Sequence, residues 1–129
     1  MPDIAITILL LFSLLQIKHL FGDYFMQTRK MLEGRSAYLH MGRAQHAAVH
    51  ALLSIPVFLV TGAGYGFVLA LIVAEWVVHF HLDWAKARYS EARGLEPSQA
   101  RFWGAFGVDQ ALHQLTYIVM VGAWVSYAT

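Results

Sequence analysis

Four pairs of ionisable residues recur at a single spacing along this chain of 129 residues: His19 with Asp23, His46 with His50, His79 with Asp83, and Asp109 with His113. Members of a pair lie four positions apart, so in a helix both project from the same face. Imidazole and carboxylate are donors that suit Zn, Fe or Mn, and a chain without cysteine offers no thiolate for softer metals. These five histidines and three aspartates suffice for one divalent transition-metal ion with an outer shell of Asp–His hydrogen bonds. They also suffice for two ions bridged by a carboxylate. A site of this kind supports metal-assisted hydrolysis of a lipid-like or phosphoester substrate, because it stabilises both the attacking and the leaving oxygen. Glu75 lies one further step of four before His79 and is expected to act as a general base or proton relay. Gln27 extends the His19–Asp23 stripe, while Gln110 and Lys86 stand beside the set, suited to an anionic group such as phosphate. Lys18 is expected to snorkel or to pair with Glu75. His40 and His81 are off the pattern.

The elements that carry these residues are strongly apolar. Hydrophobic residues make up 58% of the chain and charged ones 13%, and mean hydropathy is +0.51. Soluble domains are nearer 45–50% apolar and about 25% charged. Four stretches, about 4–26, 44–61, 64–84 and 102–127, are long enough to span a bilayer. The first lacks a basic leader and a small-residue cleavage site, and is read as a mature helix rather than a signal peptide. The fold class expected is all-α, an integral membrane four-helix bundle forming a single transmembrane domain over 1–129. The net charge of +1 gives no case for nucleic acid as a partner.

Eight of the nine basic residues fall in two polar links, about 27–43 and 85–101, which the positive-inside rule makes cytoplasmic and which leave the termini outside. Trp84 and Trp103 then mark the inner boundary, and Tyr65, Trp124 and Tyr127 the outer one. Alternating helix direction sorts the eight paired residues into two layers about 6 Å apart. His19, His50, His79 and His113 form the deeper layer; Asp23, His46, Asp83 and Asp109 form the one nearer the cytoplasm. A weak repeat agrees. HLFGDYF at 19–25 parallels HFHLDWA at 79–85, and QHAAVHAL at 45–52 parallels VDQALHQL at 108–115, as two duplicated helical hairpins would.

Ionisable side chains inside a span cost about 2.5–3.5 kcal/mol each and normally mark function. Other uses of the set stay open at this point: an Asp–His network that fixes helix packing, haem ligation, or a proton or ion pathway. A short chain with tiny outer loops also suits a non-enzymatic subunit of a larger membrane assembly, or a homo-oligomer, with membrane lipids as its surroundings.

At HLFGDYFMQ, the His46–His50 pair, HFHLDWAK and VDQALHQ, the chain resembles a family of small bacterial and phage membrane proteins known as domain of unknown function 3307. The resemblance implies a multi-pass protein of the bacterial inner membrane and carries no activity with it. More distantly, the His/Asp-rich helices are similar in motif type to bacterial membrane-bound metal-dependent hydrolases.

Overall fold

In the computed structural model, which describes residues 3–129, Asp3 opens the first helix by accepting a hydrogen bond from the Ala5 amide at 3.0 Å. Helix α1 spans Ile4–Leu20 and passes directly into a π-helical turn, Phe21–Phe25. A four-residue helix, α2 (Arg29–Leu32), follows, capped by Thr28. The long helices α3 (Met41–Leu59), α4 (Tyr65–Ala92) and α5 (Ala100–Ala128) complete the chain. Every element among the described residues is helical.

Two of the expected boundaries move. Helix α4 runs eight residues beyond the expected 64–84, because AKARYSEA contains no helix breaker; it stops at Gly94, whose φ of 57° suits a residue just past a helix end. The expected link at 85–101 therefore shrinks to 93–99. The link at 27–43 is shortened by α2 and by the first turn of α3.

Each long helix packs on its neighbours in sequence, and α5 closes the ring against α1. Backbones on the diagonals, α1 with α4 and α3 with α5, stay apart among the described residues. The enclosed space is apolar at one end, filled by Leu11, Leu15, Phe58, Val68, Met120 and Trp124. Trp124, expected on an outer aromatic rim, is 6% exposed and belongs to this core. Toward the other end the filling becomes polar: Lys18 and Glu75 first, then the histidines and aspartates.

The polarity of the bundle is thus reversed relative to a water-soluble one. His50, Glu75, His79 and His113 are buried, whereas Leu9, Leu69, Leu115 and Val119 are exposed. Two helices, Ile4–Phe25 and Tyr65–Ala92, are long and apolar enough to cross a membrane, and in each only 22% of the most apolar stretch is buried. Of the four spans expected, α3 and α5 do not reach that apolarity alone, since they carry His46, His50, Asp109, Gln110, His113 and Gln114.

Candidate metal centre

The eight paired residues converge at the polar end of the bundle, and side chains stitch every adjacent pair of long helices. From the π turn that follows α1 to α3, His50 Nε2 lies 2.9 Å from Asp23 Oδ1. From α3 to α4, His46 Nε2 lies 3.4 Å from Asp83 Oδ2, and it is also 3.4 Å from Asp23 Oδ1. From α4 to α5, Asp83 Oδ1 lies 3.3 Å from His113 Nε2. Back from α5 to α1, Tyr117 and Gln110 bond the two ring nitrogens of His19.

Those contacts follow the sequence repeat. His19 Nε2 approaches Asp23 Oδ2 at 3.1 Å, as His79 Nε2 approaches Asp83 Oδ2 at 3.0 Å. Asp23 meets His50 as Asp83 meets His113. The halves differ where His46 in one corresponds to Asp109 in the other.

Six of the eight form two groups that could hold a metal ion. Asp23, His46, His50 and His79 make one, and His79, Asp83 and His113 the other, with one donor atom per residue all within 4.8 Å of each other in each group. Their spacing suits coordination. Donors about 2.1 Å from a common ion stand about 3.0 Å apart at octahedral and about 3.4 Å at tetrahedral angles. The nitrogen–oxygen separations around Asp23 and Asp83 run from 2.9 to 3.4 Å. Several are not hydrogen bonds despite their length: His79 Nε2, His113 Nε2 and Asp83 Oδ2 have no hydrogen-bond partner. Lone pairs that face a shared point rather than each other produce this geometry.

The other two members stand behind the groups. His19 uses both ring nitrogens, Nδ1 with the Tyr117 hydroxyl at 2.8 Å and Nε2 with Gln110 Oε1 at 3.0 Å. Two acceptors, Gln110 Oε1 and Asp23 Oδ2, face Nε2, so that nitrogen carries the proton and Nδ1 accepts from tyrosine. His19 therefore orients Asp23. The backbone oxygen of Asp109 accepts from His113 Nδ1 at 2.7 Å, which fixes the tautomer and leaves Nε2 as the donor toward the centre. The Asp109 carboxylate is held through Oδ2 by Lys86 at 3.4 Å and by the Gln110 amide at 3.3 Å.

Glu75 is placed one layer below. It is 2% exposed and forms an ion pair with Lys18, whose ammonium also donates to the His50 carbonyl at 3.0 Å. The pair spans the α1–α4 diagonal and neutralises itself. Lys86 offsets Asp109 in the same way. Asp23 and Asp83 then remain as two carboxylates with no Lys or Arg in salt-bridge contact, a charge that one divalent cation would match.

A cavity of about 560 Å³ opens against this centre. Of the eight paired residues, Asp23, His46, Asp83 and Asp109 line it and the four deeper histidines do not, in keeping with the two layers read from helix direction. Arg35, Arg43 and Lys86 supply positive charge around it, with Gln27 and Gln110. Arg43 is 2% exposed and donates to the carbonyls of Arg35 and Tyr38, while Trp84 Nε1 donates to the Ser36 carbonyl at 3.0 Å. The segment 33–40 is fastened along the cavity by these bonds. His81 bonds the Tyr38 hydroxyl at 2.9 Å, and His40 stands at the N-cap position of α3 without a side-chain capping bond; neither joins the metal groups.

Residues missed in the sequence include Tyr117 and Ser54. Both lie four positions beyond a paired histidine, so extending the stripes Asp109–His113 and His46–His50 by one step finds them. Gly22 is the third. It is buried in the π turn against the His50 ring, and a Cβ there would stand 2.9 Å from His50 Nδ1 and nearer still to two other ring atoms. Glycine within a helical apolar run was the available signal.

Compared with known proteins, the chain matches over residues 10–129 the family described as protein of unknown function (DUF3307). No curated protein and no solved structure matches it.

Proposed function

We propose that this chain, which belongs to the DUF3307 family, is a four-span membrane protein that binds one Zn, Fe or Mn ion at its His/Asp centre and hydrolyses an anionic phosphoester. The observation that carries the reading is the convergence of imidazole nitrogens and carboxylate oxygens, several without hydrogen-bond partners, beside a cavity ringed by Arg35, Arg43 and Lys86. The shared His79 has one Nε2 lone pair, which favours a single ion. Apolar exteriors on all four long helices support the membrane placement, with the segments around 33–40 and 93–99 on the cytoplasmic side of a bacterial inner membrane.

An ion held by Asp23, Asp83 and their histidines would supply water activation and polarisation of a phosphoryl oxygen. The chain's own residues do the rest. Lys86 and the arginines hold the anionic group. Asp109, whose Oδ1 is unpartnered, takes the proton from water as the water oxygen bonds to phosphorus and returns it to the leaving oxygen as the ester P–O bond breaks, since Glu75 is tied to Lys18 away from the cavity. Glu75 acts by holding Lys18, and through it the His50 carbonyl.

The test is elemental analysis of the protein purified in detergent and loaded with Zn, Fe(II) or Mn(II), followed by phosphate release from phosphomonoesters. The expected result is about one ion per chain, lost in His50→Ala and Asp83→Ala, with chelator-sensitive hydrolysis. A wild-type protein that retains no metal overturns the reading.

A proton pathway is the second reading, favoured by one observation. Lys18 lies 4.6 Å from the Tyr117 ring centre, and Tyr117, His19, Gln110 and Asp109 form a hydrogen-bonded string from the ion pair to the cavity. Proton flux in proteoliposomes, abolished by Tyr117→Phe, distinguishes it.

A further inference from the structure

A second cavity, of about 650 Å³, lies in the seam between α4 and α5. Its volume is within the range of about 300–1,000 Å³ usual for small-molecule sites. Its character differs from that of the first. Leu82 and Ala85 of α4 face Gly104, Ala105 and Val108 of α5, so the walls are apolar and the small residues keep the helices from filling the gap. A Cβ placed on Gly104 would meet no atom within 4 Å, so the seam is open rather than merely narrow at that point. Val108 is 62% exposed, and the seam faces outward from the bundle.

Two further features set it apart from ordinary lipid-facing surface. Three cations, Lys86, Arg93 and Arg101, line one apolar groove. Lys86 and Asp109 also line the polar cavity against the His/Asp centre, so the two spaces share a wall. A molecule with its chain in the seam and its head at Lys86 would have that head beside Asp109 and the metal donors.

We infer that the α4–α5 seam binds the hydrocarbon chain of an anionic, phosphate-bearing amphiphile, which enters sideways and presents its headgroup to the centre. The inference rests on the proposed hydrolytic reading and names its substrate class. Apolar walls recognise the chain, and the three cations recognise the phosphate. A free, water-soluble phosphate satisfies the cations but leaves the seam without a role.

The experiment uses the full chain in detergent. Native mass spectrometry measures retained dioleoyl phosphatidic acid against dioleoyl phosphatidylcholine, with glycerol phosphate as the headgroup without chains, and metal content is measured on the same samples. Phosphatidic acid is expected to be retained over phosphatidylcholine by about tenfold or more, given the attraction of several cations for an anionic headgroup. Glycerol phosphate at equal concentration should not displace it. Gly104→Trp, which fills open space, and the surface pair Arg93→Gln with Arg101→Gln should each remove the preference while the metal content stays at the wild-type level. Equal retention of both lipids, or retention unchanged in both variants, overturns the inference. Displacement by glycerol phosphate overturns it too, assigning the cations to a soluble substrate. Selective lipid retention in a protein without metal refutes the hydrolytic reading while leaving the amphiphile site standing.

Discussion

Gly22→Ala tests how tightly the centre is built, because one methyl group is added where there is no room. The new carbon would stand 2.9 Å from His50 Nδ1, about half an ångström inside the onset of ordinary contact at 3.4 Å, and closer still to two neighbouring ring atoms. His50 has nowhere to retreat: it is fully buried, stacked on His79 with ring centres 4.1 Å apart, and bonded to Asp23. Overpacking of this kind costs about 1–3 kcal/mol, and losing the bond to a carboxylate adds about 1.5–3 kcal/mol. Replacing a helical glycine returns about 1 kcal/mol. The net expectation is a loss of about 1.5–5 kcal/mol. Donor positions tolerate about 0.2 Å, so a displaced His50 should also weaken metal binding by about 10–100-fold. Gly122→Ala in α5 is the control, since a Cβ there meets nothing within 4 Å and should stabilise by about 0.5–1 kcal/mol. Thermal unfolding in detergent and competition with a chelating dye read the two effects. If Gly22→Ala matches Gly122→Ala in both assays, the close packing of the π turn on His50 is refuted.

Two more expectations follow from the same geometry. Glu75→Gln leaves the Lys18 ammonium buried without its counter-charge and should destabilise by about 3–5 kcal/mol, whereas Lys18→Met with Glu75→Leu should come close to wild type; a thermal-unfolding double-mutant cycle measures the difference. His19→Ala should weaken metal affinity by about 10–100-fold while keeping full occupancy at saturating metal, because His19 orients Asp23 rather than ligating; loss of stoichiometry in elemental analysis would assign it to the ligand set.

The i, i+4 pairs were legible because a helix repeats every 3.6 residues and leaves few ways to arrange eight such groups on four helices. That rule placed Asp23, His46, Asp83 and Asp109 together, and they line one cavity. It could not rank the donors. Whether His19 ligates depends on Tyr117 and Gln110, which α5 brings to both of its nitrogens from about a hundred residues away in the chain. Of the two fates the sequence offered Lys18, snorkelling or pairing with Glu75, only the distance across the α1–α4 diagonal selects the pair. The π turn at Phe21–Phe25 escaped for a different reason. Its trace in the sequence is a lone glycine, and only the neighbouring His50 ring shows why that residue must be small. Helix α4 ran past its apolar stretch because hydropathy marks the apolar part of a helix, not where the helix ends.

The reversed polarity of the bundle bears on how the chain reaches its folded state. Each of the four long helices carries ionisable groups with partners on the other helices, so no single hairpin assembles the centre. Asp83 receives His113 only when α5 packs beside α4 and closes against α1. Until α5 docks, Asp83 has His46 and His79 but lacks its third imidazole, and the centre is complete only when all four long helices are packed. The site doubles as a signal that every helix has arrived.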